Sequence, residues 1–143
     1  MTNCEDFAPL IVEAFAEGRD FVMPVKGISM LPFMSSTDKV TLTKPESIKK
    51  HDLIFYTRSN GQFVLHRVYK VKDNSFILVG DNQINLEYNI NQNQVVGKVK
   101  NIIRKIGKVH RFKGFWYRFY LFIWHFLFLR RCILFVYRRI HHV

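Results

Sequence analysis

A mainly β fold, a partly open barrel or sandwich with a short N-terminal helix and a C-terminal basic aromatic helix, is what this 143-residue sequence predicts. Three observations carry that reading. Short runs rich in β-branched and aromatic residues recur between residues 21 and 100, with turn-forming residues between them. One amphipathic stretch precedes them. The charge is also split: residues 1–97 hold 10 basic and 11 acidic side chains, net −1, whereas residues 98–143 hold 12 basic and none acidic, net +12. The overall +11 therefore describes a balanced domain followed by a basic tail. The length suits one domain with an appendage, and the expected divisions are 1–20, 21–100 and 101–143.

Phe7, Leu10, Ile11, Val12, Ala14 and Phe15, with Glu13 and Glu17 between them, have helical spacing over residues 5–18, and Gly18 ends the run. Phe21 to Val25 reads as extended chain, because Pro24 keeps Met23 out of the helical region. A short strand is expected at Val40-Thr41-Leu42. Leu53–Thr57 and Phe63–Tyr69 form two β-rich runs, and Ser59-Asn60-Gly61 supplies the hairpin turn. Phe76–Val79 is a further strand that stops at Gly80-Asp81-Asn82. Residues 83–93, rich in Asn and Gln, read as a loop, and residues 94–99 as the last strand.

Past residue 100 the character changes, and 12 of the chain's 22 aromatic residues fall between Phe112 and Tyr137. Phe119 to Leu129 is apolar apart from His125, but at about 1.5 Å per residue it covers roughly half of a ~30 Å hydrocarbon core. Lengthening it takes in Arg130 and Arg131, each costing about 2.5–3.5 kcal/mol near a bilayer centre. A spanning helix is therefore disfavoured. Arg111, Arg118 and His125 recur every seven residues and would form one polar stripe on a helix. Such a helix would lie in an anionic membrane surface, or pack on the domain with its basic groups outward. The N-terminus has acids where a signal peptide needs positive charge, so the expected location is the cytoplasmic face of a membrane. Cys4 and Cys132 sit at opposite ends of the chain and suggest neither a disulfide framework nor a metal site.

The stretch with most chemical promise is Val25-Lys26-Gly27-Ile28-Ser29-Met30-Leu31-Pro32-Phe33. Gly27 frees the backbone ahead of Ser29 and Pro32 stops a helix from running through, so the hydroxyl sits on a tight turn. Met30, Leu31 and Phe33 either anchor that turn in a core or wall a cleft. Ser29 is a candidate nucleophile, although a serine capping a turn beside a hydrophobic plug has the same sequence. A nucleophilic serine needs a base, and His66, inside a strand, is the histidine placed to act as one; it could equally be a structural strand histidine. Asp81, at the end of the next strand, could orient the imidazole or simply be a turn residue.

Gly27-Ile28-Ser29-Met30-Leu31-Pro32, Asp38-Lys39-Val40, Lys50-His51-Asp52-Leu53-Ile54, Leu65-His66-Arg67-Val68 and Gly80-Asp81-Asn82 together resemble, in order and spacing, the signal peptidase I and LexA-type serine peptidases. The likeness covers about residues 20–100. A histidine at position 66, where bacterial members use lysine, is similar to the endoplasmic-reticulum-type branch. The resemblance implies Ser29 as nucleophile, His66 as general base and then acid, and Asp81 as support for His66. It also implies that the turn carrying Gly27, Met30 and Pro32 binds substrate and holds the oxyanion, with the backbone N–H of Ser29 donating. No metal or organic cofactor is implied. The expected activity is cleavage of a leader or signal segment from a precursor peptide. His51-Asp52 replaces the relatives' Gly-Asp, and the N-terminal anchor of secretory relatives has no counterpart ahead of Ser29. The rival readings are a LexA-like self-cleaving regulator and a non-enzymatic module whose basic tail binds membrane or nucleic acid. Self-cleavage wants a small-residue site such as Ala-Gly before Ser29, and none is present. Nucleic acid is disfavoured because the tail aromatics form a nearly continuous apolar run instead of isolated stacking platforms.

Overall fold

Short β-rich runs pair into one antiparallel sheet, seen in a computed structural model that describes residues 7–141. The expected helix is α1, Phe7–Ala16, which buries Ile11 and Ala14; Cys4 and the first two residues of the expected span lie outside the described residues. Its end is closed by Gly18, whose φ of 71° lets its N–H bond the Phe15 carbonyl at 3.2 Å while Arg19 N–H reaches Ala14 at 2.8 Å. The strands are β1 Phe21–Pro24, β2 Lys39–Thr43, β3 Leu53–Thr57, β4 Phe63–Val71, β5 Ser75–Val79, β6 Glu87–Asn91, β7 Val95–Ile103 and β8 Val109–His110. Their order is β1-β2-β7-β3-β4-β5-β6, with β8 on β7, so the sheet is open and β1 and β6 are its edges. This is the mainly β architecture expected.

Strand β3 explains why the run Leu-Ile-Phe-Tyr lacks polar alternation. Leu53 and Phe55 enter a core with Ile11, Met30, Phe33 and Val40, while Ile54 and Tyr56 enter a second core with Val68, Phe76 and Leu78. A strand covered on both faces has no reason to alternate.

Three expectations are corrected. The Asn/Gln-rich stretch contains β6, which pairs with β5 through Ser75–Asn91 and Phe76–Ile90; burial of Ile90 and the backbone ladder override low β propensity. The last expected strand runs past residue 100 to Ile103, where β8 pairs antiparallel beside it, so the sheet crosses the expected domain boundary. The C-terminal helix is two helices, α2 Phe115–His125 and α3 Leu127–His141, bent by 102°. Phe126 takes an extended conformation between them. Arg130, buried, donates from Nε to the Trp124 carbonyl at 3.0 Å, satisfying a helix-end acceptor that an unbroken helix would have satisfied itself. Arg111 precedes both helices, so the seven-residue polar stripe does not exist. No single helix among the described residues is long and apolar enough to cross a membrane.

The two helices pack on the domain. Tyr117 and Tyr120 join the first core around Phe33, and Trp124 and Leu134 are buried. The packed face also takes Arg130 inward, contrary to the expectation of outward basic groups.

Candidate active site

The turn between β1 and β2 is held from below. Val25 N–H bonds the Asp38 carbonyl at 2.9 Å, Leu31 N–H bonds Ile28 at 3.2 Å, and Met34 N–H bonds Met30 at 2.9 Å. Gly27 takes φ 78°, which a side chain would strain. Met30 and Phe33 are plugs in the first core, and the Leu31–Pro32 bond is cis. Ser29 faces a cleft of about 410 Å³, whose lining includes Val25, Gly27, Leu65, His66 and Arg138. Met30 and Pro32 do not line it. The substrate contact expected of those two is thus corrected: Met30, at 2 % exposure, points into the core and anchors the turn, while Pro32 is exposed outside the cleft.

Each residue of Gly80-Asp81-Asn82 has a separate task. A Cβ on Gly80 would lie 2.7 Å from the Ser29 carbonyl oxygen and 3.0 Å from His66 Nε2, so only glycine lets turn and imidazole come together here. Asn82 holds the turn: its N–H donates to the Ser29 carbonyl at 2.7 Å and its Nδ2 to the Ile28 carbonyl at 3.1 Å. Asp81, wholly buried, turns the other way. Its carboxylate takes Arg67 Nε at 2.8 Å and Nη2 at 2.6 Å, plus the Tyr120 hydroxyl at 2.9 Å, while Trp124 Nε1 donates to its carbonyl at 2.9 Å.

The support for His66 expected from Asp81 is therefore corrected, and the pleat gives the reason. On β4, His66 pairs with Ile54 and Arg67 with Leu53, so their side chains point to opposite faces. Asp81 lies on the Arg67 side. On the His66 side stand Tyr56 and Glu87. His66 Nδ1 is 3.1 Å from Glu87 Oε1 and 3.2 Å from the Tyr56 hydroxyl, which itself donates to Glu87 Oε2 at 2.7 Å. With the tyrosine proton committed to Glu87, both neighbours of Nδ1 are acceptors, and Nδ1 carries the imidazole proton. In the neutral imidazole of that tautomer, Nε2 presents a lone pair. It is buried and has no hydrogen-bond partner among the described residues.

Burial works to raise the Glu87 carboxyl, but hydrogen bonds from His66, Arg58 and Tyr56 outweigh it and hold the group below the usual carboxylate range. Arg58 contributes through Nε at 2.9 Å and a closer Nη2 contact. Burial and then the hydrogen bond to Glu87 push the Tyr56 hydroxyl up, so it stays protonated. Glu87 was missed in the sequence because the chain around it reads as loop. The available signal was that it is the only acidic residue after Asp81.

Arg67 is the hub on the other face. Besides Asp81, its Nη1 donates to the His51 carbonyl and to Tyr117 Oη, both at 3.1 Å, and its guanidinium lies 4.7 Å from the Phe33 ring centroid. His51 has φ 74°, the left-handed conformation at which the glycine of the resembling sequences is at ease. Burial, then Lys50, Arg67 and His125, push its imidazole down to about 4, against a smaller pull from Asp52. The unfolded chain binds the proton near 6.5, so between about 6.5 and 4 it holds a proton that the folded chain refuses. Stability should therefore fall as pH falls through that window. His51→Asn, which tolerates positive φ, should flatten the dependence of the urea midpoint on pH; an unchanged slope would assign the dependence elsewhere.

From the other side, α3 grips the same loop. Arg130 Nη1 donates to the carbonyls of Gly80 at 3.4 Å and Gln83 at 3.2 Å, and Arg138 donates from Nε to Asn82 Oδ1 at 3.2 Å and from Nη2 to its carbonyl at 2.5 Å. Nothing in the sequence marked these two among twelve basic tail residues.

Among the described residues no cluster of His, Cys, Asp or Glu could hold a metal ion. The family model described as Peptidase S24-like matches residues 2–100. No curated protein matches the chain.

Proposed function

The chain belongs to the Peptidase S24-like family, within the LexA and signal peptidase superfamily, and from that premise we propose that it is a serine endopeptidase working through Ser29 and His66. One observation carries the reading: a buried imidazole held at Nδ1 by an acid and a tyrosine, with an unpartnered Nε2 turned toward the serine turn across Gly80. That is the arrangement a general base requires.

In the proposed reaction a peptide lies extended in the cleft between the Ser29 turn and β4. Ser29 Oγ attacks the scissile carbonyl as its proton passes to His66 Nε2. The imidazolium is stabilised by Glu87, and the oxyanion is met by the Ser29 backbone N–H; one such donor is typically worth about 2.7–4 kcal/mol. His66 then hands the proton to the departing amine, and water, activated by the same imidazole, hydrolyses the acyl-enzyme. The cleft is walled by apolar side chains such as Val25 and Leu65 and bordered by Arg58 and Arg138. This suits the apolar leader of a precursor peptide as substrate.

A fluorophosphonate probe tests the nucleophile. The full chain should be labelled at neutral pH, Ser29→Ala should not be, and hydrolysis of a peptide library should disappear in step. Equal labelling of Ser29→Ala would place the nucleophile elsewhere, and no labelling with no hydrolysis by the folded wild type would favour a non-enzymatic module.

A further inference from the structure

A helix packed on a domain normally turns a polar face to water; α2 and α3 do the reverse. Their inner face holds the buried Trp124, Arg130 and Leu134 and the partly buried Tyr120. Their outer face leaves Phe115, Trp116, Phe119 and Phe122 exposed on α2, and Phe128 and Phe135 on α3, with Trp116 at 78 % and Phe128 at 77 %. Of the 20 large hydrophobic residues exposed among the described residues, 11 lie between Phe115 and Ile140. The rings of Phe115, Trp116 and Phe119 touch one another, as do those of Phe122 and Phe126, which is clustered exposure and not the scattered apolar exposure of an ordinary surface. Arg111, Lys113, Arg118, Arg131 and Arg139 are exposed around it, and no acidic residue occurs after Glu87.

We infer that the outer face of the bent α2–α3 pair docks in the headgroup region of an anionic lipid bilayer. The occupant follows from the charge and the shape. Apolar area calls for a hydrocarbon boundary, an unbroken basic surround calls for an anionic one, and aromatic rings suit the interface between them. Helices of 11 and 15 residues meeting at 102° are too short to span singly and form a bent plate suited to shallow insertion. The pair is also tied to the cleft, since Arg130 and Arg138 hold the Gly80–Gln83 loop that holds the Ser29 turn. A bilayer under this plate lies beside the cleft, so a substrate tethered to the same surface would reach Ser29 without leaving it. The docking itself does not depend on the peptidase reading.

The test is flotation of the full chain with phosphatidylcholine vesicles, with and without phosphatidylglycerol. The chain should float with phosphatidylglycerol vesicles, at least tenfold more strongly than with phosphatidylcholine alone. Part of the binding should survive high salt, since apolar insertion is not screened as charge contact is. Bromine-labelled acyl chains should quench Trp116 and leave buried Trp124 bright. Phe119→Ser with Phe122→Ser, both exposed, should cut binding by about tenfold or more while fluorophosphonate labelling and the circular dichroism spectrum stay as in wild type. Four results would overturn the inference: no flotation, flotation unaffected by the double variant, Trp116 shielded by concentration-dependent self-association instead of lipid, or salt-labile binding to RNA in preference to vesicles.

Discussion

His66→Ala should lower turnover by about 10²–10⁴-fold, the usual worth of a positioned general base. Ser29→Ala should abolish it, and the double variant should be no worse than Ser29→Ala, because nucleophile and base act as a unit. Glu87→Gln is the more informative change. The amide keeps the shape and can still accept from Nδ1, so the tautomer survives, but the charge that stabilises the imidazolium is lost. A smaller fall in kcat is expected, with the urea midpoint changed little, since Arg58 keeps Gln62 Oε1 as a partner at 2.6 Å. Steady-state kinetics on the three variants decides it. Full kcat in Glu87→Gln would remove Glu87 from the mechanism, and full kcat in His66→Ala would return the search for a base to the lysines.

Asp81→Asn should act on folding. The Arg67–Asp81 pair is buried on both sides, 2 % and 0 % exposed, and removing one member of such a pair leaves an uncompensated charge worth about 3–5 kcal/mol. Against the roughly 5–15 kcal/mol that holds a typical domain together, that is a large fraction. The loss should spread to the C-terminal helices, because Asp81 anchors Tyr120 and Trp124, and Arg67 anchors Tyr117. Urea unfolding followed by tryptophan fluorescence, which reports on Trp124, measures it directly. A variant with wild-type stability and a large kcat defect would instead make Asp81 part of the catalytic machinery.

These two predictions separate residues that the sequence sets side by side. β-rich composition and turn chemistry are local, and most of the strands were legible for that reason: the expected Leu53–Thr57, Phe63–Tyr69 and Phe76–Val79 all lie in strands that bury a continuous run of residues, and the Ser59-Asn60-Gly61 turn joins two of them. The tight turn at Ser29 was legible too, because Gly27 and Pro32 restrict the backbone wherever they occur. His51 takes a left-handed conformation that a glycine adopts without strain, which the sequence alone left open.

What the linear order could not decide was direction. His66 and Arg67 are neighbours, yet a strand sends them to opposite faces, and which face each carboxylate occupies depends on how the chain returns. Asp81 leaves β5 toward Arg67; Glu87 comes back on β6 under His66. Strand β6 itself was hidden because Asn and Gln have little β preference, and only the exposed ladder of β5 recruits them. The bend at Phe126 and the inward turn of Arg130 were hidden for a related reason. An arginine in an apolar run reads as a cost until its partners are known, and here they are backbone carbonyls of α2 and of the loop at Gly80–Gln83. Composition alone determined that the chain ends in a basic aromatic segment. Only the tertiary structure decided which of its side chains hold the candidate site and which face outward.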